Sequence, residues 1–240
     1  MERVPTAELL DTDAGTPEEV SSSLRDLDNI NRWFGGIHAT HALVAEVARV
    51  AGCNHLSLLE VASGSGNTIF AVEKKLQNEG ITLDLTLLDR SPSHLTYGTQ
   101  NGHGQTLNRH KLVSGDALSL PFQDNSFDLV SCNLFVHHLN SESFVKFAND
   151  ALRICRRAVI VNDLVRNWPH LGLVYAGLPL FRSRITWHDA PASVRQAYTR
   201  DEIRSLLNQT TAKHIEIRNF YLFRFGAIAW KTWDPSGTKS

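Results

Sequence analysis

The chain has 240 residues, 42% of them hydrophobic and 20% charged, and this ordinary globular composition excludes the disordered, collagen-like and coiled-coil classes. With 24 Lys and Arg against 25 Asp and Glu, the net charge of −1 creates no field that would attract a nucleic acid or an anionic membrane. The three cysteines lie far apart without a CxxC pair, so neither a disulfide framework nor a zinc site is expected, and a reducing cytoplasm fits best.

Residues 1–15 are mostly polar and end in Gly15, which predicts a flexible leader. The first twenty residues lack the basic start and apolar stretch of a signal peptide, and no run of 18 apolar residues occurs. We therefore expect a cytoplasmic protein that does not insert into a membrane.

Two helices are predicted ahead of any strand, as a cap over residues 16–52. Thr16-Pro17-Glu18-Glu19 combines a threonine N-cap, a proline at the first helical position and a glutamate that can close a capping box. Apolar residues then recur at steps of three and four until Gly35-Gly36 ends the run. A second apolar helix is predicted from about His38 to Ala51.

From Leu56 onward, short apolar runs alternate with longer amphipathic segments, as in buried parallel strands joined by crossover helices. Residues 164–198 contain three prolines, are too irregular for the sheet and are predicted to form an inserted lid. Residues 199–202 form a second capping box. Two strands then follow without room for a helix between them, which predicts an antiparallel hairpin at the sheet edge. The candidate strands are 56–62, 83–88, 111–114, 127–132, 158–161, 212–219 and 222–231.

Three motifs follow successive predicted strands, at the edge where open α/β sheets bind ligands. The glycine turn at 62–66 lets the backbone approach a ligand at the free amides of a helix N-terminus, although any tight turn would explain it. Asp89 ends the second strand and can accept hydrogen bonds from ribose hydroxyls. Asp116 follows the third strand and can accept one from a purine amine. Helix capping is the alternative for both aspartates.

As an ordered set these motifs resemble the class I S-adenosylmethionine-dependent methyltransferases, particularly the small-molecule enzymes similar to quinone-biosynthesis methyltransferases. The resemblance covers about residues 56–161 and implies a doubly wound, seven-stranded, mostly parallel α/β sheet in a single domain over 16–240. It implies S-adenosylmethionine as cofactor, with its methionine part at Glu60 and the glycine turn, its ribose at Asp89 and its adenine at Asp116. Family members usually have glycine where this chain has Ala62. The cofactor-binding residues that the resemblance implies are Glu60, Ala62, Ser63, Gly64, Gly66, Asp89, Arg90, Asp116, Ala117 and Asn133.

Residues 31–36 look like the cofactor-covering entry helix of such enzymes. We interpret Trp33 and Phe34 as core anchors of that helix, with a place in the cofactor cover as the alternative.

Methyl transfer is an in-line displacement at an activated carbon, so alignment supplies much of the rate and a base is optional. His137 and His138 follow the fourth strand, and either can take a proton near neutral pH. The alternative is that one packs structurally and the other stabilises the helix that begins near Ser141. No metal is expected at this pair, because sequence neighbours point apart and no third ligand is spaced to join them.

The predicted lid adds His188, next to Asp189, as a further candidate base. Arg182, Arg184 and Arg195 either hold an acidic or carbonyl-bearing acceptor or lie solvated on the surface. Asp163, after the fifth strand, either shapes the site or caps the next helix. The apolar lid residues, with Trp168 and Trp187, favour an aromatic or lipophilic acceptor such as a phenolic or polyketide-like compound, although packing of a helical lid also explains them.

The sequence therefore predicts methyl transfer from S-adenosylmethionine to a small organic acceptor, at a hydroxyl oxygen first and at carbon second. An NAD(P)-dependent oxidoreductase is disfavoured, because Ile69 stands where its third glycine is needed. A noncatalytic cofactor-binding module would use the apolar lid for a protein partner. RNA methylation is disfavoured by the near-neutral charge. No nucleic-acid partner is expected, and the oligomeric state is left open.

Overall fold

The computed structural model describes residues 1–12, 14–98 and 110–233. Helices α1 (Pro17–Trp33) and α2 (Gly36–Ala51) precede the sheet, as predicted. The first capping box is formed, because the Thr16 hydroxyl accepts from the Glu19 amide and the Glu19 carboxylate accepts from the Thr16 amide. No helix in the described ranges combines the length and the apolar composition that a membrane crossing requires.

The strands and the remaining described helices follow in the predicted order. The strands are β1 (His55–Val61), β2 (Thr82–Asp89), β3 (Lys111–Ser114), β4 (Phe127–Asn133), β5 (Cys155–Leu164), β6 (His214–Phe220) and β7 (Arg224–Trp230). The helices are α3 (Asn67–Asn78), α4 (Pro92–Gly98), α5 (Ser141–Ile154), α6 (Trp168–Gly177), α7 (Arg184–Gln196) and α8 (Arg200–Leu207). Single 3-10 turns span Leu10–Thr12, Val136–His138 and Leu178–Leu180.

The strands form one seven-stranded sheet in the order β3-β2-β1-β4-β5-β7-β6. The first five strands pair in parallel, whereas β7 runs antiparallel to β5 and β6. The predicted fold class and the edge hairpin are thus confirmed. The strand order reverses between β1 and β4, so a crevice opens at the carboxyl ends of these two strands.

Helices cover both faces of the sheet, which explains why the central strands are almost continuously apolar. On one face, Leu43 of α2 and Ile69 of α3 pack with Leu58 of β1. On the other face, Phe144 of α5 and Ile203 of α8 pack in the cluster that contains residues of β1, β4 and β5. The sheet therefore provides a rigid base for the loops at its carboxyl edge.

The inserted segment 164–198 contains helices α6 and α7 and lies against α1. Ile185 of α7 packs with Val20 and Leu24 of α1. The buried Asp26 carboxylate accepts hydrogen bonds from the Ser183 amide at 3.2 Å and the Thr186 hydroxyl at 3.0 Å. Cap and lid are thereby joined above the carboxyl edge of the sheet.

Residues 3–12, here called the N-terminal strap, are tied to the lid. The Leu9 and Leu10 amides donate to the Asp189 carboxylate at 2.9 and 3.0 Å. The Arg3 guanidinium donates to the Gln196 carbonyl at 2.7 Å and to the His137 carbonyl at 2.9 Å. This geometry differs from the flexible leader expected over residues 1–15. The composition of the strap does not indicate a partner for its backbone amides, but a carboxylate of the lid accepts hydrogen bonds from two of them. Residue 13 lies outside the described ranges.

The two glycines of the turn at 62–66 have different surroundings. Gly64 and Gly66 both have positive φ, at 54° and 75°. A Cβ on Gly66 would lie 2.5 Å from Leu87 Cδ2 and 2.7 Å from Phe70 Cε2, whereas a Cβ on Gly64 would meet no atom within 4 Å. Gly66 therefore permits the close packing of α3 on β2, and Gly64 faces open space.

We expect Gly66→Ala to lower the free energy of unfolding more than Gly64→Ala. Both substitutions incur left-handed backbone strain of about 1–2 kcal/mol. Only Gly66→Ala adds steric overlap, which in packed cores costs about 1–3 kcal/mol more. Urea unfolding of the two matched variants measures the difference, and equal losses would contradict this account of the turn.

Candidate active site

A cavity of about 650 Å³ lies at the carboxyl edge of the parallel strands, between cap and lid. Gly64 follows β1, Asp89 ends β2 and Asp116 follows β3, and all three line this cavity. The three motifs recognised in the sequence therefore converge on one hollow, whose volume is typical of small-molecule sites. The other predicted site residues in its wall are Ala62, Arg90, Ala117, His137 and His138.

Asp89 joins two of the loops around the cavity. Its Oδ2 accepts a hydrogen bond from the Gly64 amide at 2.7 Å, and its Oδ1 accepts one from the Ser91 amide at 2.9 Å. The bond to Ser91 closes a turn just before α4, which begins at Pro92, and is not the helix cap considered from the sequence. A carboxylate has about four acceptor sites, so this role leaves capacity for ligand hydroxyls.

Asp116 is more exposed than Asp89 and makes a similar local contact. Its Oδ1 accepts from the Leu118 amide at 2.9 Å. Asp116 therefore also closes a local turn, while it and the adjacent Ala117 remain in the cavity wall.

Ala62 has a φ of 53°, the left-handed region that favours glycine. The backbone conformation that family members usually satisfy with glycine is thus retained here with an additional methyl group. Of the turn residues, Ala62 and Gly64 line the cavity, whereas Ser63 and Gly66 lie behind them within the described structure. The turn thus presents fewer residues to the cavity than the sequence predicts.

Glu60 and Asn133 lie outside the cavity wall, in a buried polar network. Glu60 Oε1 accepts from Asn133 Nδ2 at 2.7 Å, and Asn133 Oδ1 accepts from Thr40 Oγ1 at 2.6 Å and from Asn162 Nδ2 at 2.8 Å. Burial raises the pKa of Glu60 to about 7, against the hydrogen bonds from Asn133 and Ser131, which lower it. The network connects α2 to the ends of β1, β4 and β5. Thr40 was missed from the sequence, because nothing in an apolar helix distinguishes it.

His137 is buried between two carboxylates. Its Nδ1 lies 2.7 Å from Asp163 Oδ1, and its Nε2 lies 3.5 Å from Glu8 Oε1 in the strap. Burial alone would lower the pKa of His137, but the charges and hydrogen bonds of Asp163 and Glu8 prevail and raise it to about 10. His137 therefore carries a proton at neutral pH, and Asp163 holds it instead of capping the next helix.

His138 lies beside His137 and has a carboxylate of its own. The two rings are 4.1 Å apart at 33°, and His138 Nδ1 lies 3.0 Å from Asp11 Oδ2 in the strap. The expectation that these neighbours point apart without a third donor is wrong, since Glu8, His137 and His138 place candidate ligand atoms within 4.8 Å of one another. The proton on His137 would compete with any cation, and the absence of a metal stays a prediction.

Several predicted lid residues lie elsewhere than expected. His188 has a half-exposed side chain 2.8 Å from Asp189 and does not line the cavity. Arg184 pairs with Glu19, and Arg195 donates to the Tyr175 hydroxyl at 2.8 Å. The exposed Arg182 and the largely exposed Trp168 and Trp187 are also absent from the described cavity wall. The lid residues that line it are Leu164, His170, Leu173, Val174, Gly177, Leu180, Phe181, Thr186, Asp189, Ala190, Ser193 and Val194.

The prediction that Trp33 of α1 packs in the core is wrong, because this side chain is 58% exposed. Phe34 lines the cavity, in agreement with the alternative considered from the sequence. Glu8, Asp11 and Arg224 also line the cavity and were missed. The strap residues lie in a segment without periodicity, and Arg224 lies within the predicted strand 222–231, so no sequence pattern distinguished them.

Residues 58–158 match the family described as "Methyltransferase domain". They are thus similar to a methyltransferase domain, and the sheet around them has the fold of S-adenosylmethionine-dependent methyltransferases. The match extends from within β1 to within β5, so the matched segment contains the three motifs and both histidines, whereas the strap, cap, lid and edge hairpin lie outside it.

Curated relatives agree with this assignment. A ubiquinone/menaquinone biosynthesis C-methyltransferase of Methylobacterium nodulans is 33% identical over 129 residues, which cover 52% of this chain and 48% of that protein. A demethylmenaquinone methyltransferase of Staphylococcus aureus is 37% identical over 76 residues, which cover 32% and 30% of the two chains. The matched segments thus span about a third to a half of these relatives.

Solved structures share the fold at low sequence identity. The plantazolicin methyltransferase BpumL, in complex with SAH, has a TM-score of 0.69 at 13% identity and covers 94% of this chain and 95% of its own. A SAM-dependent methyltransferase of Aquifex aeolicus has a TM-score of 0.63 at 14% identity, with coverages of 88% and 98%. An O-methyltransferase family 2 protein of Planctomyces limnophilus, in complex with apigenin, has a TM-score of 0.54 at 21% identity, with coverages of 74% and 50%.

The charge on His137 makes the stability of the folded protein depend on pH. Because its folded pKa of about 10 exceeds the ordinary 6.5, this contribution is complete below about pH 6.5 and is lost as the pH rises through about 10. We expect the free energy of unfolding to fall above pH 7, with a slope from this group of at most about 1.4 kcal/mol per pH unit. His137→Gln should flatten that slope in chemical unfolding between pH 7 and 10.

Glu60→Gln serves as the comparison, since the folded pKa of Glu60 is also raised, from 4.5 to about 7. That variant should remove pH dependence between about 4.5 and 7 and leave the higher range unchanged. If His137→Gln retains the wild-type slope above pH 7, His137 is not held in its charged form.

Proposed function

We propose that this protein transfers a methyl group from S-adenosylmethionine to a small organic acceptor. The convergence of Gly64, Asp89 and Asp116 on one cavity, at the point where the strand order reverses, is the observation that carries the proposal. The family match over residues 58–158 supports it. The curated relatives are named as methyltransferases, and the BpumL structure contains SAH.

The loops after β1, β2 and β3 would hold the cofactor. We assign the ribose hydroxyls to Asp89, the adenine to Asp116 and Ala117, and the methionine part to the turn at Ala62 and Gly64. When bound, S-adenosylmethionine supplies a methyl carbon already activated by its sulfonium. Glu60 and Asn133, which lie behind the wall, would support this end of the cavity through the buried network.

The acceptor would bind at the end formed by strap, lid and histidine pair. An apolar surface there, which includes Leu173, Val174 and Phe181, suits an aromatic or polyketide-like body. The same end carries titratable groups, so a hydroxyl is the acceptor atom that we propose first, with carbon second. The apigenin complex of the O-methyltransferase and the C-methyltransferase among the relatives are precedents for each.

The two histidines would have different roles at a hydroxyl acceptor. His137 already holds a proton at neutral pH, so it would donate a hydrogen bond to the oxygen as negative charge develops. His138 would accept the hydroxyl proton, with Asp11 orienting its ring. A phenol has a pKa near ~10, so removal of its proton at neutral pH benefits from such a base.

We expect calorimetry to show binding of S-adenosylmethionine in preference to NAD, and Asp89→Ala to weaken that binding. Loss of a hydrogen bond to a charged group is worth about 1.5–3 kcal/mol, or roughly 10- to 100-fold in affinity. Asp84→Ala is a matched control, because Asp84 is an exposed aspartate on the same strand. Equal binding of S-adenosylmethionine and NAD would refute the proposed function, and unchanged affinity in Asp89→Ala would refute the ribose assignment.

We expect His138→Gln to lower kcat with a phenolic acceptor by about 10²- to 10⁴-fold, the usual contribution of a general base. Binding of S-adenosylhomocysteine should remain unchanged. His188→Gln is the control, since His188 does not line the cavity, and it should retain wild-type turnover. Mass spectrometry of the products from a panel of phenols measures the rates and distinguishes oxygen from carbon methylation.

Two results of that assay would contradict the proposal. If His138→Gln and His188→Gln lower kcat equally, His138 is not the general base. Cofactor binding without turnover of any phenol would instead favour a noncatalytic module or another acceptor class.

A further inference from the structure

A buried arginine lines the cavity without a carboxylate partner. Arg224 is the first residue of β7 and is only 1% exposed. Its Nε donates to the Phe34 carbonyl at 3.0 Å and its Nη2 donates to Asn31 Oδ1 at 2.9 Å. Its Nη1 has no hydrogen-bond partner, and no ion pair joins Arg224 to an acid in the part of the chain that the structure describes.

The protein compensates this buried charge incompletely. Burial lowers the pKa of Arg224 to about 10, against the attraction of Asp163. Asp163 makes no hydrogen bond to Arg224, because its Oδ1 is engaged by the His137 ring and the Leu164 amide and its Oδ2 by the His137 amide. A guanidinium surrounded by neutral acceptors leaves an energetic deficit that a bound anion would offset.

The cavity wall around Arg224 is mostly apolar. Leu164 lies opposite Arg224 in the β5–β7 pairing, and Leu222 lies two residues before it. His170 of the lid is neutral at neutral pH, because burial lowers its pKa despite the hydrogen bond to the Val165 carbonyl, and the charge of Arg224 lowers it further. The part of the wall next to Arg224 therefore combines its positive charge with uncharged, mostly apolar side chains.

Arg224 is also separated from the cofactor loops. In the sheet order, β7 is three strands from β1 and two from β4. Neighbouring strands are about 4.8 Å apart, so Arg224 lies roughly 14 Å along the sheet edge from the end of β1 and roughly 10 Å from that of β4. A group bound at Arg224 would thus belong to the molecule at the lid end of the cavity.

We propose that Arg224 binds a carboxylate of the methyl acceptor, which is then an acid with an aromatic or aliphatic body. The planar guanidinium suits this anion, because its N–H groups form directional, charge-assisted hydrogen bonds to carboxylate oxygens. The inference rests on the proposed function and narrows its substrate class. The methionine carboxylate of the cofactor is the other source of the same chemistry, and the experiment separates the two.

The test compares 4-hydroxycinnamate with its methyl ester by calorimetry on the full chain, with and without saturating S-adenosylhomocysteine. We expect the wild type to bind the acid at least tenfold more tightly than the ester. Arg224→Gln should abolish this preference. Arg218→Gln should retain it, because Arg218 lies on the neighbouring strand β6 and pairs with Glu46 and Glu216 instead of lining the cavity.

The cofactor source is examined with 5′-methylthioadenosine, which lacks the methionine carboxylate. The proposal requires that Arg224→Gln leave the affinities for S-adenosylhomocysteine and 5′-methylthioadenosine unchanged. If the variant weakens only S-adenosylhomocysteine and retains the preference for the acid, the carboxylate at Arg224 is that of the cofactor and the proposal is overturned.

Arg224 also donates hydrogen bonds to Phe34 and Asn31 at the end of α1, so its replacement could destabilise the fold. The Tm of each variant is therefore measured. Arg224→Lys serves as a second variant, because it retains the charge with fewer hydrogen-bond donors. The wild-type comparison of acid with ester needs no variant. Equal binding of both, or binding of neither, overturns the proposal. A protein that prefers the acid but does not bind S-adenosylhomocysteine contradicts the proposed methyl transfer and leaves the carboxylate site supported.

Discussion

The reversal of strand order between β1 and β4 determines where the functional groups of this protein lie. Because both strands run parallel and in register, their carboxyl ends open a crevice at the same edge of the sheet. The loops after β1, β2 and β3 border it on one side, and the ends of β4, β5 and the start of β7 border it on the other. The hydrogen bond from the Gly64 amide to Asp89 then joins two of these loops.

Among the described residues, the two sides of the crevice differ in that only one of them holds buried cations. The cofactor side presents Asp89 and Asp116, which suit ribose hydroxyls, an adenine amine and a sulfonium. The lid side contains two buried cations, His137 and Arg224, with different degrees of compensation. Two carboxylates hold the proton on His137, whereas Arg224 has only neutral hydrogen-bond acceptors. The charge of Arg224, which no carboxylate of the described residues pairs by a hydrogen bond, is the physical basis for an anionic group in the acceptor.

Local patterns in the sequence predict the sheet and the cofactor side well. Each of these patterns lies within a few adjacent residues, so the local sequence is enough to predict it. Examples are the capping boxes at Thr16 and Thr199, the short apolar runs of the strands and the acids at strand ends. The lid side depends on contacts between distant segments. Glu8 meets His137 across 129 positions, and no periodicity in the strap indicates that contact.

The wrong prediction at His188 shows that the sequence position of a residue next to a site residue does not tell which way its side chain points. His188 and Asp189 are neighbours on α7, but successive helical residues point about 100° apart, so Asp189 lines the cavity while His188 remains half exposed. Trp33 near the end of α1 shows the same limit, since an aromatic residue can project outward while the next one, Phe34, projects into the cavity. Residue type predicted the chemistry of these segments, but helix orientation decided which residues reach the site.

The division of the chain has a consequence for the comparison with relatives. The family match at 58–158 contains Gly64, Asp89 and Asp116, whereas the strap, the lid and Arg224 lie outside it. The family match therefore contains the three motifs and both histidines, but none of the strap or lid. We infer that these segments contribute to the choice of acceptor, because the strap, α1 and α7 are joined by Asp26 and Asp189 into an enclosure of the cavity. The acceptor class must accordingly be inferred from the charges and apolar surfaces of this chain, in which Arg224 is a buried cation of the cavity wall with no carboxylate hydrogen-bonded to it among the described residues.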